Sequence, residues 1–251
     1  MLKRTLIFLY GVVSYVVFFG TFLYAIGFVN DLWVPSALDS PPQAPFGISL
    51  LVDLGLLALF AVQHSGMARL PFKRWLTRFI PEAAERSTYV LAASVALLIL
   101  FALWRPLGGV VWEVSNPGGR WVLYGLAAFG WLTVLATTFL INHFDLFGLR
   151  QIWLELVGRR YDPVGFRSPG PYRLVRHPLY AGFLFAFWAT PRMTLAHLLF
   201  AAATTAYILL AIQLEERDLL ALLGTEYREY RRRVPMIVPF ARARLLRRSS
   251  G

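Results

Sequence analysis

Residues 5–28 (TLIFLYGVVSYVVFFGTFLYAIGF) run for 24 positions without a charged side chain. A helix rising 1.5 Å per residue needs about 20 apolar residues to cross the ~30 Å of bilayer hydrocarbon. The stretch is longer than the apolar core of a cleavable signal peptide, so it reads as a retained first span. Comparable runs at 48–63, 88–103 and 121–141 make four clear spans. With 57% apolar residues the chain exceeds the roughly half found in soluble domains, which makes it an integral membrane protein. Its net charge of +11 lies in the loops between apolar runs, which points to anionic lipid headgroups and away from nucleic acid. There is no cysteine, which excludes disulfides, thiolate metal sites and a cysteine nucleophile.

A fifth apolar region behaves differently. Residues 178–189 would extend only about 18 Å as helix before Thr190, Pro191, Arg192 and Met193 interrupt them, and residues 194–214 would extend about 31 Å. The pair predicts a helical hairpin with a tilted or partly re-entrant first arm, begun by Pro178 in a first turn that needs no N–H. The expected fold is all-α and polytopic: four spans plus a C-terminal hairpin, five to six transmembrane segments in all. Lysine and arginine accumulate in short cytoplasmic loops. Placing the N-terminus inside puts 22 of the 25 inside and leaves Arg105, Arg120 and Arg192 outside. Both termini and a C-terminal segment are then cytoplasmic. Residues 1–142 are expected to be N-terminal transmembrane helices, and 143–251 a cofactor-binding loop, the hairpin and the cytoplasmic segment, within one integrated membrane domain.

Within the loop 144–176, Leu146, Leu149, Ile152, Trp153, Leu156 and Val157 recur near helical spacing, which predicts a helix lying along the membrane interface. Gly224 reads as a helix end and residues 225–233 as a short helix stopped near Pro235. Trp33, Trp104, Trp112 and Trp121 fall at span ends, where aromatic residues anchor in headgroups. No internal repeat is present.

Ionisable groups at membrane depth are costly unless they bind something. Three clusters stand out: GPYRLVRHPLYAG at 170–182 with Glu215 and Glu216 one hairpin later; Asn142, His143 and Asp145 after the fourth span; and Gln63 and His64 at the end of the second. Asp53, deeper in the second span, reads as functional or as the partner of another helix. A hairpin returns its ends to one face, which brings His177 to the level of Glu215. No strand leads into a glycine-rich phosphate turn, so the strand–turn–helix nucleotide-binding fold is absent.

RHPLYAG at 176–182, the pair at 215–216, Tyr227 and Tyr230, and Val234-Pro235 resemble the C-terminal half of membrane methyltransferases typified by isoprenylcysteine carboxyl and phosphatidylethanolamine methyltransferases. NHFDLFGLRQ at 142–151, with Gln63, His64 and Ser65, narrows the likeness to the bacterial methanethiol S-methyltransferases. That resemblance implies an enzyme of the bacterial inner membrane with a cytoplasmic site. It methylates a small thiol, methanethiol, to dimethyl sulfide with S-adenosylmethionine. Arg173, Arg176 or His177 would then take the cofactor's carboxylate, Glu215 or Glu216 its ammonium or ribose, and Tyr180, Tyr227 and Tyr230 its adenine. Gly182 would admit a close backbone or ligand. No metal is implied.

A simple alkyl thiol titrates above the ~8.5 of cysteine, so a base or a stabilising cation helps at neutral pH. His143 or His64 would take the proton, with Asp145 orienting the imidazole, Asn142 beside them and Arg150 facing the anion. Two alternatives stand beside this reading. One is a methyltransferase acting on a lipid or prenylated carboxylate, whose acceptor needs no base. The other is a non-catalytic haem or electron-transfer protein, which requires two axial histidines on facing spans from His64, His143, His177 and His197.

Overall fold

The first span begins one residue into the chain: α1 covers Leu2–Asn30. It is followed by α2 (Phe46–Ala68), α3 (Leu70–Leu76) and α4 (Glu82–Leu103). A short strand β1 (Val110–Glu113) precedes α5 (Pro117–Ile141), α6 (His143–Leu146) and α7 (Leu149–Leu156). Then come α8 (Pro178–Trp188), β2 (Arg192–Thr194), α9 (Leu195–Leu223) and α10 (Thr225–Arg233). The computed structural model describes residues 1–163 and 165–239. Arg242, Arg244, Arg247 and Arg248, counted above among the inner arginines, lie outside the described residues.

Among the described residues α1, α2, α4, α5 and α9 are each long and apolar enough to cross a membrane, and α8 is a shorter apolar helix. The protein is an all-α polytopic membrane protein. α4 and α9 outrun their apolar runs because their charged ends, EAAERS and EERDLLALL, are rich in Glu, Arg, Ala and Leu and remain good helix formers after hydropathy fails. The 29 residues of α9 extend about 43 Å and carry Glu215 and Glu216 within the helix.

The helices group into two units interleaved along the chain. One comprises Met1–Val114, Asn142–Gly165 and Pro191–Phe200; the other comprises Ser115–Ile141, Phe166–Thr190 and the chain from Ala201.

In the first unit, α6 and α7 run lengthwise along α1. Phe147 stacks on Phe18 at 3.9 Å, Trp153 meets Phe8 edge-on at 6.1 Å, and Glu155 pairs with Arg4 at 3.6 Å. Ile152 is fully buried where Gly11 lacks a Cβ, in a small core with Ile7 and Ala84. Leu149 and Ile152 of the apolar stripe pack on α1 and α4, while Trp153 and Val157 of the same stripe stay exposed. Gly148, at φ 89, turns the chain between α6 and α7 where a Cβ would stand 2.9 Å from the Ser87 nitrogen.

Elsewhere in this unit β1 and β2 pair antiparallel, Val110 opposite Thr194 and Glu113 opposite Arg192, a pairing across 80 residues that no local pattern announces. Beside β2, buried His197 places Nδ1 3.0 Å from Asp39 Oδ2, and Thr194 donates to Asp39 Oδ1 at 2.6 Å. Buried Asp53 accepts the Arg105 N–H at 2.9 Å, tying α2 to the end of α4.

In the second unit α8 packs on α5 through two glycines. A Cβ on Gly130 would stand 2.5 Å from the Ala186 nitrogen and 2.6 Å from the Gly182 oxygen; one on Gly182 would stand 2.8 Å from the Gly130 oxygen. The hairpin closes at both ends, with Trp188 Nε1 donating to Thr205 at 2.9 Å and His177 meeting Glu216 at 3.1 Å.

Candidate active site

In the second unit, Pro178 starts α8 immediately after Arg176 and His177, which places both side chains beside the charged end of α9. Arg176 Nε donates to Glu216 Oε1 at 2.7 Å, and its Nη1 donates to the Val234 and Arg231 carbonyls at 2.5 and 3.2 Å. His177 Nε2 lies 3.1 Å from Glu216 Oε1, and Arg231 Nε lies 3.2 Å from Oε2. Arg176 and Glu216 are both buried. Such a pair survives burial because further hydrogen bonds to each partner offset the cost of taking the charges out of water. Glu215 sits at the rim with a half-exposed side chain, 3.8 Å from His177 Nδ1.

An aromatic group closes one side of this network. Phe166 meets Tyr227 and Tyr230 edge-on, at 5.9 and 5.3 Å, and Tyr230 donates to the Tyr172 carbonyl at 2.6 Å. Burial holds the Tyr172 and Tyr227 hydroxyls well above their ordinary range, with Glu215 and Glu216 adding to the effect, and pushes Tyr230 up to about 12. All three stay neutral hydrogen-bonding groups at physiological pH. An open cleft beside them is lined by Gln213, Glu216, Arg217, Leu220 and Arg231.

In the first unit, α6 presents His143 to α1. The imidazole is 2% exposed, its Nε2 is 2.8 Å from the Tyr15 hydroxyl, and the rings of Tyr15, Phe144 and Phe147 surround it. Burial lowers its pKa, so it is a neutral imidazole near pH 7. Asp145 does not orient it: its carboxylate takes Arg150 at 3.0 Å and the Tyr161 hydroxyl at 3.2 Å. The reason is spacing, since residues two apart on a helix face different sides. Arg150, packed 5.3 Å over the Tyr161 ring, is committed to that carboxylate. Asn142 caps α6 by accepting the Asp145 N–H at 3.2 Å.

His64 stacks on Phe60 at 5.1 Å, and the Tyr89 hydroxyl lies within 3.1 Å of both its ring nitrogens. Arg86 connects this cluster to α6. Its guanidinium lies 5.0 Å over the Tyr89 ring while its Nε donates to the Leu146 carbonyl at 2.6 Å.

Residues 53–234 match the NnrU protein family, close to three quarters of the chain. A methanethiol S-methyltransferase of Mycobacterium tuberculosis is 56% identical over 95% of this chain and 98% of its own length. One of Crocosphaera subtropica is 53% identical over 95% and 94%. This chain belongs to the NnrU family and groups with the methanethiol S-methyltransferases. Nurim of Bos taurus, 32% identical over 74% of the chain and 72% of its own length, marks the family's breadth. No solved structure matches the chain.

For this NnrU-family chain, the cofactor residues expected from sequence divide into three groups. His177, Glu215 and Glu216 do converge, with Tyr180 5.7 Å from the His177 ring, and Arg173 is exposed nearby in sequence. Arg176 and Tyr227 are engaged within the protein: the first donates to Glu216 and two carbonyls, and the second is 1% exposed. Gly182 admits a close backbone, as expected of it: the backbone of α5 occupies the space it leaves. On the acceptor side the family match begins at Asp53 and so omits Tyr15, the direct partner of His143. Tyr15, Tyr89, Arg86 and Tyr161 escaped sequence reading. For Tyr15 a signal existed: with Phe18, Phe19 and Phe22 it makes an i, i+3, i+4, i+7 aromatic stripe, which a uniformly apolar span conceals.

Proposed function

We propose that this protein methylates a small thiol, methanethiol, to dimethyl sulfide using S-adenosylmethionine, at the cytoplasmic face of a bacterial cell membrane. The observation that carries the reading is near-full-length identity above 50% to proteins named methanethiol S-methyltransferase. The structure adds a neutral, buried histidine able to accept the thiol proton.

The donor set at the end of α9 fits S-adenosylmethionine. The half-exposed carboxylate of Glu215 would hold the ammonium, Arg173 or Arg217 the carboxylate, and Leu220 and Tyr180 would offer apolar surface to the adenine. Buried Arg176 and Glu216, with the half-exposed Arg231 on the second carboxylate oxygen, make the wall that positions those groups. The cofactor supplies a methyl group on a sulfonium, a leaving group that needs no protonation. The protein's share is to deprotonate the acceptor and to keep water out, and the aromatic packing around His143 serves the second need.

The carboxylate-acceptor reading lacks a role for a neutral imidazole. The haem reading meets a different obstacle: His64, His143, His177 and His197 are engaged by Tyr89, Tyr15, Glu216 and Asp39. The test is purified protein in detergent or nanodiscs with labelled S-adenosylmethionine and a panel of methanethiol, hydrogen sulfide and a prenylated cysteine. Labelled dimethyl sulfide from methanethiol is the expected result. Methylation of the prenylated cysteine alone would replace this reading with the carboxylate one.

A further inference from the structure

Resting on the thiol methyltransferase reading, we propose that Tyr15 is the group that meets the acceptor thiol and relays its proton to His143. The starting point is accessibility. His143 is 2% exposed, with aromatic rings of α1 and the α6 segment around it, and its Nε2 is occupied at 2.8 Å by the Tyr15 hydroxyl. A substrate sulfur cannot approach that nitrogen. Tyr15 itself is half-buried, on a helix where Val13, Val16 and Phe19 are exposed. Of the two bonded side chains Tyr15 is the less buried, so its oxygen is the end of a two-residue proton path that a small thiol would meet.

The step balances without any further reactant. The S–H bond of the thiol breaks and its proton goes to the Tyr15 oxygen, as the proton of Tyr15 passes to His143 Nε2. This leaves an imidazolium and a thiolate that keeps the electron pair. That pair forms the new S–CH3 bond as the methyl group leaves the sulfonium donor, and the proton returns from His143 through the Tyr15 oxygen to solvent once the product has left. A neutral imidazole at rest is the form the path requires. The Asp145 carboxylate is held by Arg150 at 3.0 Å and by the Tyr161 hydroxyl at 3.2 Å. Tyr15 is thus the catalytic residue in contact with substrate, and His143 acts through it.

Tyr15→Phe keeps the ring and removes the oxygen. With methanethiol at pH 7 its kcat is expected to fall about a hundredfold, the usual scale of lost general-base assistance, while KM stays near wild type. The loss should shrink as pH rises and solvent supplies thiolate. It should nearly vanish with hydrogen sulfide, a smaller acceptor that is substantially ionised at neutral pH. A merely structural role predicts an equal loss for both acceptors at every pH, and that result overturns the relay, as does full activity of Tyr15→Phe. His143→Gln should show the same acceptor dependence, and it keeps the test decisive if Tyr15→Phe does not fold in detergent. Wild-type protein inert toward both thiols would instead remove the thiol reading itself, and the relay with it.

Discussion

Glu216 meets three side chains with two oxygens: Arg176 and His177 on Oε1, Arg231 on Oε2. Glu215, one position earlier, has a half-exposed side chain that lies 3.8 Å from His177 Nδ1. The two glutamates, equivalent in sequence, therefore carry opposite risks. Glu216→Gln leaves the buried Arg176 guanidinium without its counter-charge, and removing one member of a buried pair costs about 3–5 kcal/mol. Its thermal midpoint in detergent should drop by many degrees, and lost binding would follow from lost folding. Glu215→Gln should leave the midpoint within about 0.5 kcal/mol of wild type, as surface changes usually do, yet weaken S-adenosylhomocysteine binding in a calorimetric titration. Wild-type affinity in Glu215→Gln would remove Glu215 from the cofactor site.

At the scale of elements, glycines decide which helices touch. Lipid gives apolar helices no hydrophobic drive to associate, so close backbone approach through small residues does the work. Gly130 and Gly182 face each other between α5 and α8, and Gly11 admits Ile152 of α7 to α1. Gly125, on the same helix as Gly130, has nothing within 4 Å of the place its Cβ would take. Gly130→Ala must push against backbone atoms at 2.5 and 2.6 Å, so α5 and α8 separate at a cost of about 1–3 kcal/mol. Gly125→Ala should be neutral or stabilising by up to about 1 kcal/mol, from helix propensity alone. Thermal unfolding of the two variants side by side checks this; equal effects would mean that α8 is not seated on α5 in this way.

For the molecule as a whole, the charge distribution sets orientation in the membrane. The absence of native cysteine makes it measurable. Arg192 and Arg233 are both exposed, at opposite ends of the run from β2 to α10. In intact cells a cysteine at Arg192 should react with a membrane-impermeant maleimide and one at Arg233 should not; the reverse pattern would place the candidate site outside. Membrane-length apolar runs, the turn at Pro191 and the short helix after Gly224 were legible in the sequence because each depends on neighbours along the chain. The charged segment at 170–182 and the glutamates could be paired from the hairpin for the same reason. The roles within the clusters were not legible. Asp145 looked like the partner of His143 by proximity in sequence, yet a helix turns them apart, and Tyr15, 128 residues away, takes that place. Likewise Arg176 and Tyr227 carry groups suited to a ligand, and packing has spent them on the protein itself. Hydropathy and helix propensity act locally, so the sequence alone determined which segments enter the membrane and where ionisable groups collect. Hydrogen-bond partners and close backbone contacts are formed between segments distant in the chain, so the tertiary structure alone decided which of those groups remain available for chemistry.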